Sequence, residues 1–205
     1  GAKFSFFLLL LFAVPLFFEA DTILKIWLVN VPEGASLFTR LALIGALVTI
    51  LGNTGYTACL ATGNIKKYSI VITLIGNLNF IFTWIAYNLG ASVEMTYYIY
   101  ILVYIVVLIA RLMLMKEILQ FPISIYFKEV IGKILLPTMM AIIGPFYVCQ
   151  YFEVSITRVF IDCLFSILWT GTFIMLFGLT KGERITILRK LKSVIVKIAK
   201  KLKMY

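Results

Sequence analysis

LALIGALVTILGNTGYTACLA, residues 41–61, is a run of twenty-one positions without one charged side chain. At about 1.5 Å rise per residue a helix over it is about 30 Å long, the thickness of bilayer hydrocarbon. Apolar runs also occupy 68–89, 95–114, 134–152 and 159–179, with a single charge in two of them, Arg111 and Asp162, and a shorter run covers 4–18. They are continuously apolar rather than alternating, which excludes the short strands of a membrane barrel. Backbone groups in lipid must satisfy one another, so each run is expected to be a helix. The fold class is all-α: an integral membrane bundle of six transmembrane helices over 1–180, with interfacial amphipathic helices and a basic tail over 181–205. Composition agrees, since 62% of the 205 residues are hydrophobic and only 14% are charged. A soluble globule of this size cannot bury that much apolar surface.

Lys3, the apolar run and Glu19-Ala20 imitate a signal peptide, but the later spans favour a membrane helix. The net charge of +10 would suit nucleic acid if it were spread evenly. It is not. Sixteen of the nineteen basic residues fall at Lys3, in the connectors around residues 64–67 and 111–133, and in the tail; the other connectors hold only Lys25, Arg40 and Arg158. By the positive-inside rule both termini are expected in the cytoplasm, with 21–36, 90–95 and 153–158 outside. Nucleic acid is therefore not an expected partner, and the bilayer is.

Two connectors have the pattern of interfacial helices. After Phe121-Pro122, the residues Ile123, Ile125, Tyr126, Val130 and Ile131 interleave with Lys128 and Glu129. The tail over 183–205 spaces Leu188, Leu191, Val194, Ile195, Ile198 and Leu202 by threes and fours among lysines and arginines, an amphipathic face suited to an anionic leaflet.

Polar groups inside spans mark packing seams or solvated cavities. Gly45, Thr49, Gly52, Asn53, Tyr56 and Thr57 form one such face, and Gly76, Asn79, Thr83 and Tyr87 another. Asp162, Ser166 and Thr170 follow at intervals of four. Asp162 stands four residues after Arg158, where an i,i+4 ion pair is expected. Arg111 is expected to snorkel to the inner interface. Pro15, Pro137 and Gly144-Pro145 should kink their helices and free carbonyls that neighbours or water must satisfy.

The chain has no histidine, which removes His-dependent triads and His-ligated zinc. Cys59, Cys149 and Cys163 form no CxxC pair and sit in or beside apolar runs as small hydrophobes. No HExxH, GxSxG, P-loop or Rossmann glycine pattern occurs, so neither an enzyme nor a bound cofactor is expected.

Four strings carry a resemblance: Leu24 to Leu28 followed by Val31-Pro32-Glu33, Ala61 to Tyr68, Lys133 to Pro137, and Gly178 to Arg184. In this order and spacing the chain resembles the C-terminal half of bacterial polysaccharide flippases, the O-antigen or capsule repeat-unit transporters of the multidrug/oligosaccharidyl-lipid/polysaccharide exporter superfamily. The resemblance implies one six-helix lobe of a two-lobe inner-membrane transporter that moves undecaprenyl-diphosphate-linked oligosaccharide by alternating access. It also implies an N-terminal lobe as partner. Such a cavity needs hydroxyls, amides and a few cations, which helix geometry assigns to Thr49, Asn53, Asn79 and Thr83, with Lys25 or Arg40 attracting the diphosphate. A cation-coupled drug antiporter of the same superfamily would instead need a buried acid, for which Asp162 is the candidate. A glycan polymerase or ligase would need a large outer loop, and a structural membrane subunit is the remaining alternative.

Overall fold

The computed structural model describes residues 1–28, 30–63, 65–151 and 155–190. Among them there is no strand. The helices are α1 (Ala2–Phe18), α2 (Ala20–Trp27), α3 (Ala35–Ala61), α4 (Ile65–Asn88), α5 (Met95–Leu119), α6 (Ile123–Tyr126), α7 (Gly132–Tyr151) and α8 (Ile156–Phe173), with π-helical turns at Phe127–Ile131 and Ile174–Gly178. Residues 181–190 are also helical. Five helices are long and apolar enough to cross a membrane, and α1 with α2 makes a sixth if that bent pair is one span. The chain is an all-α, multi-pass membrane bundle.

α1 occupies the centre, packed against α3, α7 and α8. Phe6, Phe7, Leu10 and Val14 on α1 meet Leu51 of α3, Ile134 and Ala141 of α7, and Ile174 and Leu179 beyond α8. Phe7 lies over Gly178, where any side chain would collide with its ring. A second core joins Cys59, Tyr68, Leu112, Leu114, Met115 and Tyr126. The Tyr126 hydroxyl donates to the Leu51 carbonyl at 2.8 Å, fastening α6 to α3. α4 stands outermost, packed chiefly on α5, and presents Leu74, Phe80, Ile81 and Trp84 outward. In lipid that surface is already in an apolar solvent, so nothing drives it inward.

Two local features depart from the expectations, and a third, the stop at Gly90, agrees with them. The connector over 21–36 contains α2, which leaves α1 at an angle of 79°. Arg40 of α3 fixes this corner: its Nη2 donates to Asp21 at 2.6 Å and its Nε to the Phe17 carbonyl at 3.0 Å. The segment after Pro122 is helical as expected, but it is not a separate interfacial elbow. It continues through the π-turn into α7 as a single run, Ile123–Tyr151. Gly90 ends α4 at φ +80. The Ala91 N–H reaches the Ala86 carbonyl and the Gly90 N–H that of Tyr87, each at 3.0 Å, a Schellman stop that needs the left-handed residue.

The Gly178 to Arg184 string has a physical reading. Thr180 and Glu183 form a capping box: the Thr180 N–H donates to Glu183 Oε2 at 2.8 Å and the Glu183 N–H to Thr180 Oγ1 at 3.4 Å. Lys3 Nζ also donates to Glu183 Oε2, at 2.7 Å, tying this helix start to the beginning of α1. The tail beyond residue 190 lies outside the described residues. Burial pushes the Glu183 carboxyl up, but the Lys3 ammonium and the Thr180 donors outweigh it and hold it below its ordinary value. Its contribution to stability is therefore present above the unfolded carboxylate pKa and lost as pH falls through the lower folded value. Thermal midpoints in detergent of the wild type and Glu183→Gln are expected to differ at about pH 7 and to converge below about pH 4. Midpoints that stay equally far apart at both pH values would leave the carboxylate charge without a role.

Candidate functional site

The glycines of α3 explain its polar face. A Cβ on Gly45 would strike the Tyr100 ring, one on Gly52 would come within 2.7 Å of Arg111 Cδ and Nη1, and one on Gly55 would strike Met115. The small stripe is thus the seam with α5, its glycines making room for long α5 side chains. Polar groups beside those glycines then bond across the seam. Arg111 Nη1 donates to Asn53 Oδ1 at 3.0 Å. Thr49 Oγ1 lies 3.4 Å from the Tyr100 hydroxyl while donating to the Gly45 carbonyl at 2.8 Å. The Tyr100 ring contacts that of Tyr104, with centroids 4.4 Å apart.

Arg111 does not snorkel as expected. It lies eight residues before the end of α5, and Asn53 eight before the end of α3, so each is about 12 Å inside its helix terminus. Laid over Gly52, the guanidinium finds an amide at its own depth, which makes the reach to the interface unnecessary. Its Nε has no partner among the described residues. Asn53 is exposed and Arg111 partly so. The sequence points to Asn53 and Thr49 but not to their partners across the seam, Arg111 for Asn53 and Tyr100 for Thr49; the signal available for the first was a cation in α5 opposite a Gly-Asn pair.

Asn79 and Thr83 lie on α4, away from this seam. Asn79 Oδ1 and Thr83 Oγ1 are buried without a partner among the described residues, and no hydrogen bond there joins them to Thr49 or Asn53. Lys25 is exposed on α2. Arg40, as shown above, is committed to Asp21 and the Phe17 carbonyl. A concavity of about 490 Å³ lies beside it, lined by Phe17, Phe18, Arg40, Phe146, Cys149 and Gln150. An adjoining cavity of about 470 Å³ between α1, α3 and α7 is apolar apart from Thr138.

A second polar cluster sits at the corner between α1 and α2. Glu19 is fully buried and accepts from Arg158 Nη2 at 2.9 Å, while Arg158 Nε stands 2.9 Å from its other oxygen. This corrects the expected Arg158–Asp162 pair. Along one helix the best outcome is a weak i,i+4 contact, whereas Glu19 offers both oxygens to the guanidinium fork. Asp162, also fully buried, accepts from Ser166 Oγ at 3.3 Å through Oδ1; its Oδ2 has no partner among the described residues. The Cys149 thiol is 3.5 Å from Glu19 Oε1. Ligand atoms of Glu19, Cys149 and Asp162 lie within 4.8 Å of one another, close enough for a metal by distance alone. Arg158, however, already neutralises Glu19.

The Trp169 indole donates to the Met140 carbonyl at 2.9 Å, with its ring against Gly144. The chain thus brings together two polar clusters, one in the α3–α5 seam and one at the α1–α7–α8 corner. No family model, curated protein or solved structure matches it.

Proposed function

We propose that the chain is one lobe of a transporter that flips undecaprenyl-diphosphate-linked oligosaccharide across a bacterial inner membrane for surface polysaccharide synthesis, with both termini in the cytoplasm. The observation that carries this reading is the Arg111–Asn53 pair, partly exposed about 12 Å inside its helix ends. An arginine open to acyl chains at that depth is costly, so this surface is suited to water, a polar ligand or another lobe. Flipping makes and breaks no bond. It asks the protein to shelter sugar hydroxyls and a diphosphate from hydrocarbon while the prenyl chain stays in lipid. Arg111, partly exposed and held by Asn53, suits the diphosphate. Thr49 and the Tyr100–Tyr104 pair suit sugar hydroxyls and ring faces. Arg40, already neutralised by Asp21, is the weaker diphosphate contact.

Deleting the gene should leave lipid-linked repeat units on the inner leaflet. Export should return with the wild type and fall at least tenfold with Arg111→Leu or Asn53→Leu at equal protein level. Unchanged surface glycan in the deletion strain would remove the flippase reading, and normal export by both variants would return the pair to helix packing. The acids at Glu19 and Asp162 favour a second reading, the cation-coupled drug antiporter. That reading requires drug sensitivity, rather than glycan loss, in the deletion strain.

A further inference from the structure

We infer that Asp162 is a proton-carrying site, sealed between the α1–α2 corner, α7 and α8. The inference rests on charge balance in a closed space. Glu19 and Asp162 are both fully buried, and Arg158 is nearly so. One guanidinium faces these two carboxyl groups, and of the two it pairs with Glu19. Among the described residues, the titratable neighbours that join them are thiols: Cys149 of α7, which donates to Glu19, and Cys163 beside Asp162 on α8. With both carboxyls ionised the fully buried pair carries a negative charge that no second cation among the described residues balances, an arrangement proteins avoid by binding a counter-charge.

The hydrogen bonding at Asp162 identifies that counter-charge. An ionised aspartate is an acceptor at both oxygens, yet only Oδ1 has a donor, the Ser166 hydroxyl. Oδ2 is buried without one among the described residues. A proton on Oδ2 converts it to a donor, and Asp162 stands within 4.8 Å of a Glu19 oxygen and the Cys149 sulfur. A metal ion fits less well, because it would share Glu19 with a guanidinium already ion-paired to it at 2.9 Å. Ser166 and Thr170 continue from Asp162 along α8 at intervals of four, both fully buried, and the Thr170 hydroxyl has no partner among the described residues. The exchange is a simple one: the Asp162 carboxyl releases H⁺ to water when the corner opens and takes one back before it closes. It does not rest on the glycan reading, since any rearrangement of α1 against α8 would expose the site.

The test is infrared spectroscopy of the full chain in nanodiscs, following the carbonyl stretch of protonated carboxyl groups as pH is raised. The wild type should show such a band at neutral pH and lose it in alkali, and Asp162→Asn should lack it throughout. Glu19→Gln should also lack it at neutral pH, because the Arg158 charge no longer faces an ionised Glu19 and can balance an ionised Asp162. A band that persists in Asp162→Asn, or a wild type without one, would overturn the assignment. So would loss of the wild-type band when sodium chloride replaces choline chloride at equal ionic strength, which would make the counter-charge a metal. Should Asp162→Asn fail to fold, Asp162→Glu must move the band and its midpoint pH; an unmoved band rejects the proposal.

Discussion

Arg158→Met is expected to lower the unfolding free energy by about 3–5 kcal/mol, the cost of leaving one partner of a buried ion pair uncompensated. The variant keeps most of the side-chain volume and removes the fork that holds both Glu19 oxygens. Glu19 is fully buried, so water cannot replace the guanidinium. The loss should be read by denaturant unfolding in bicelles, and it should come with loosening of the corner where α1 turns by 79° into α2. Adding Glu19→Gln removes the orphaned charge and should recover most of the stability, since a buried pair is often replaceable by neutral residues of similar volume. If the double variant is no more stable than Arg158→Met alone, packing rather than charge holds the corner.

Gly144→Ala should cost about 1–3 kcal/mol although it adds a single methyl group. The new Cβ would lie 2.7–2.8 Å from three atoms of the Trp169 indole. That ring is rigid, its Nε1 is bonded to the Met140 carbonyl, and neighbouring rings of Phe165 and Phe173 limit its retreat. Relief therefore means separating α7 from α8 and losing the indole hydrogen bond. Unfolding in bicelles gives the size of the effect, and Trp169 fluorescence in a Trp27→Phe/Trp84→Phe background shows whether the ring has moved. Gly76→Ala is the control: nothing lies within 4 Å of its added Cβ, so the better helix former should be neutral or gain up to about 1 kcal/mol. Equal effects at the two glycines would mean that the response reflects helix propensity alone.

The candidate site was partly legible in the sequence. Thr49 and Asn53 stood out because hydroxyls and amides recur beside glycines at helical spacing. The partners those glycines admit, Tyr100, Arg111 and Met115, could not be read, since spacing along one helix carries no information about which helix comes against it. Glu19 shows the same limit more strongly. Beside Ala20 it looked like the polar end of an apolar run, and the fold buries it completely by bringing α8 to α1 across 139 residues. Asp162 is legible as an acid within a span, but the nearest cation along the chain, Arg158, pairs with Glu19 instead.

The sequence by itself determined that this chain is an all-α membrane protein, where most of its spans lie, and where its helices stop. Those properties follow from transfer energies of side chains and from local backbone hydrogen bonding, both of which act within a turn or two. Only the tertiary structure decided that α1 is the central helix, that Arg158 belongs to Glu19 rather than Asp162, and that Arg111 rests on Gly52 to meet Asn53. In lipid no hydrophobic drive sorts one apolar helix face from another, so pairing is set by shape and by polar contacts between residues far apart in sequence.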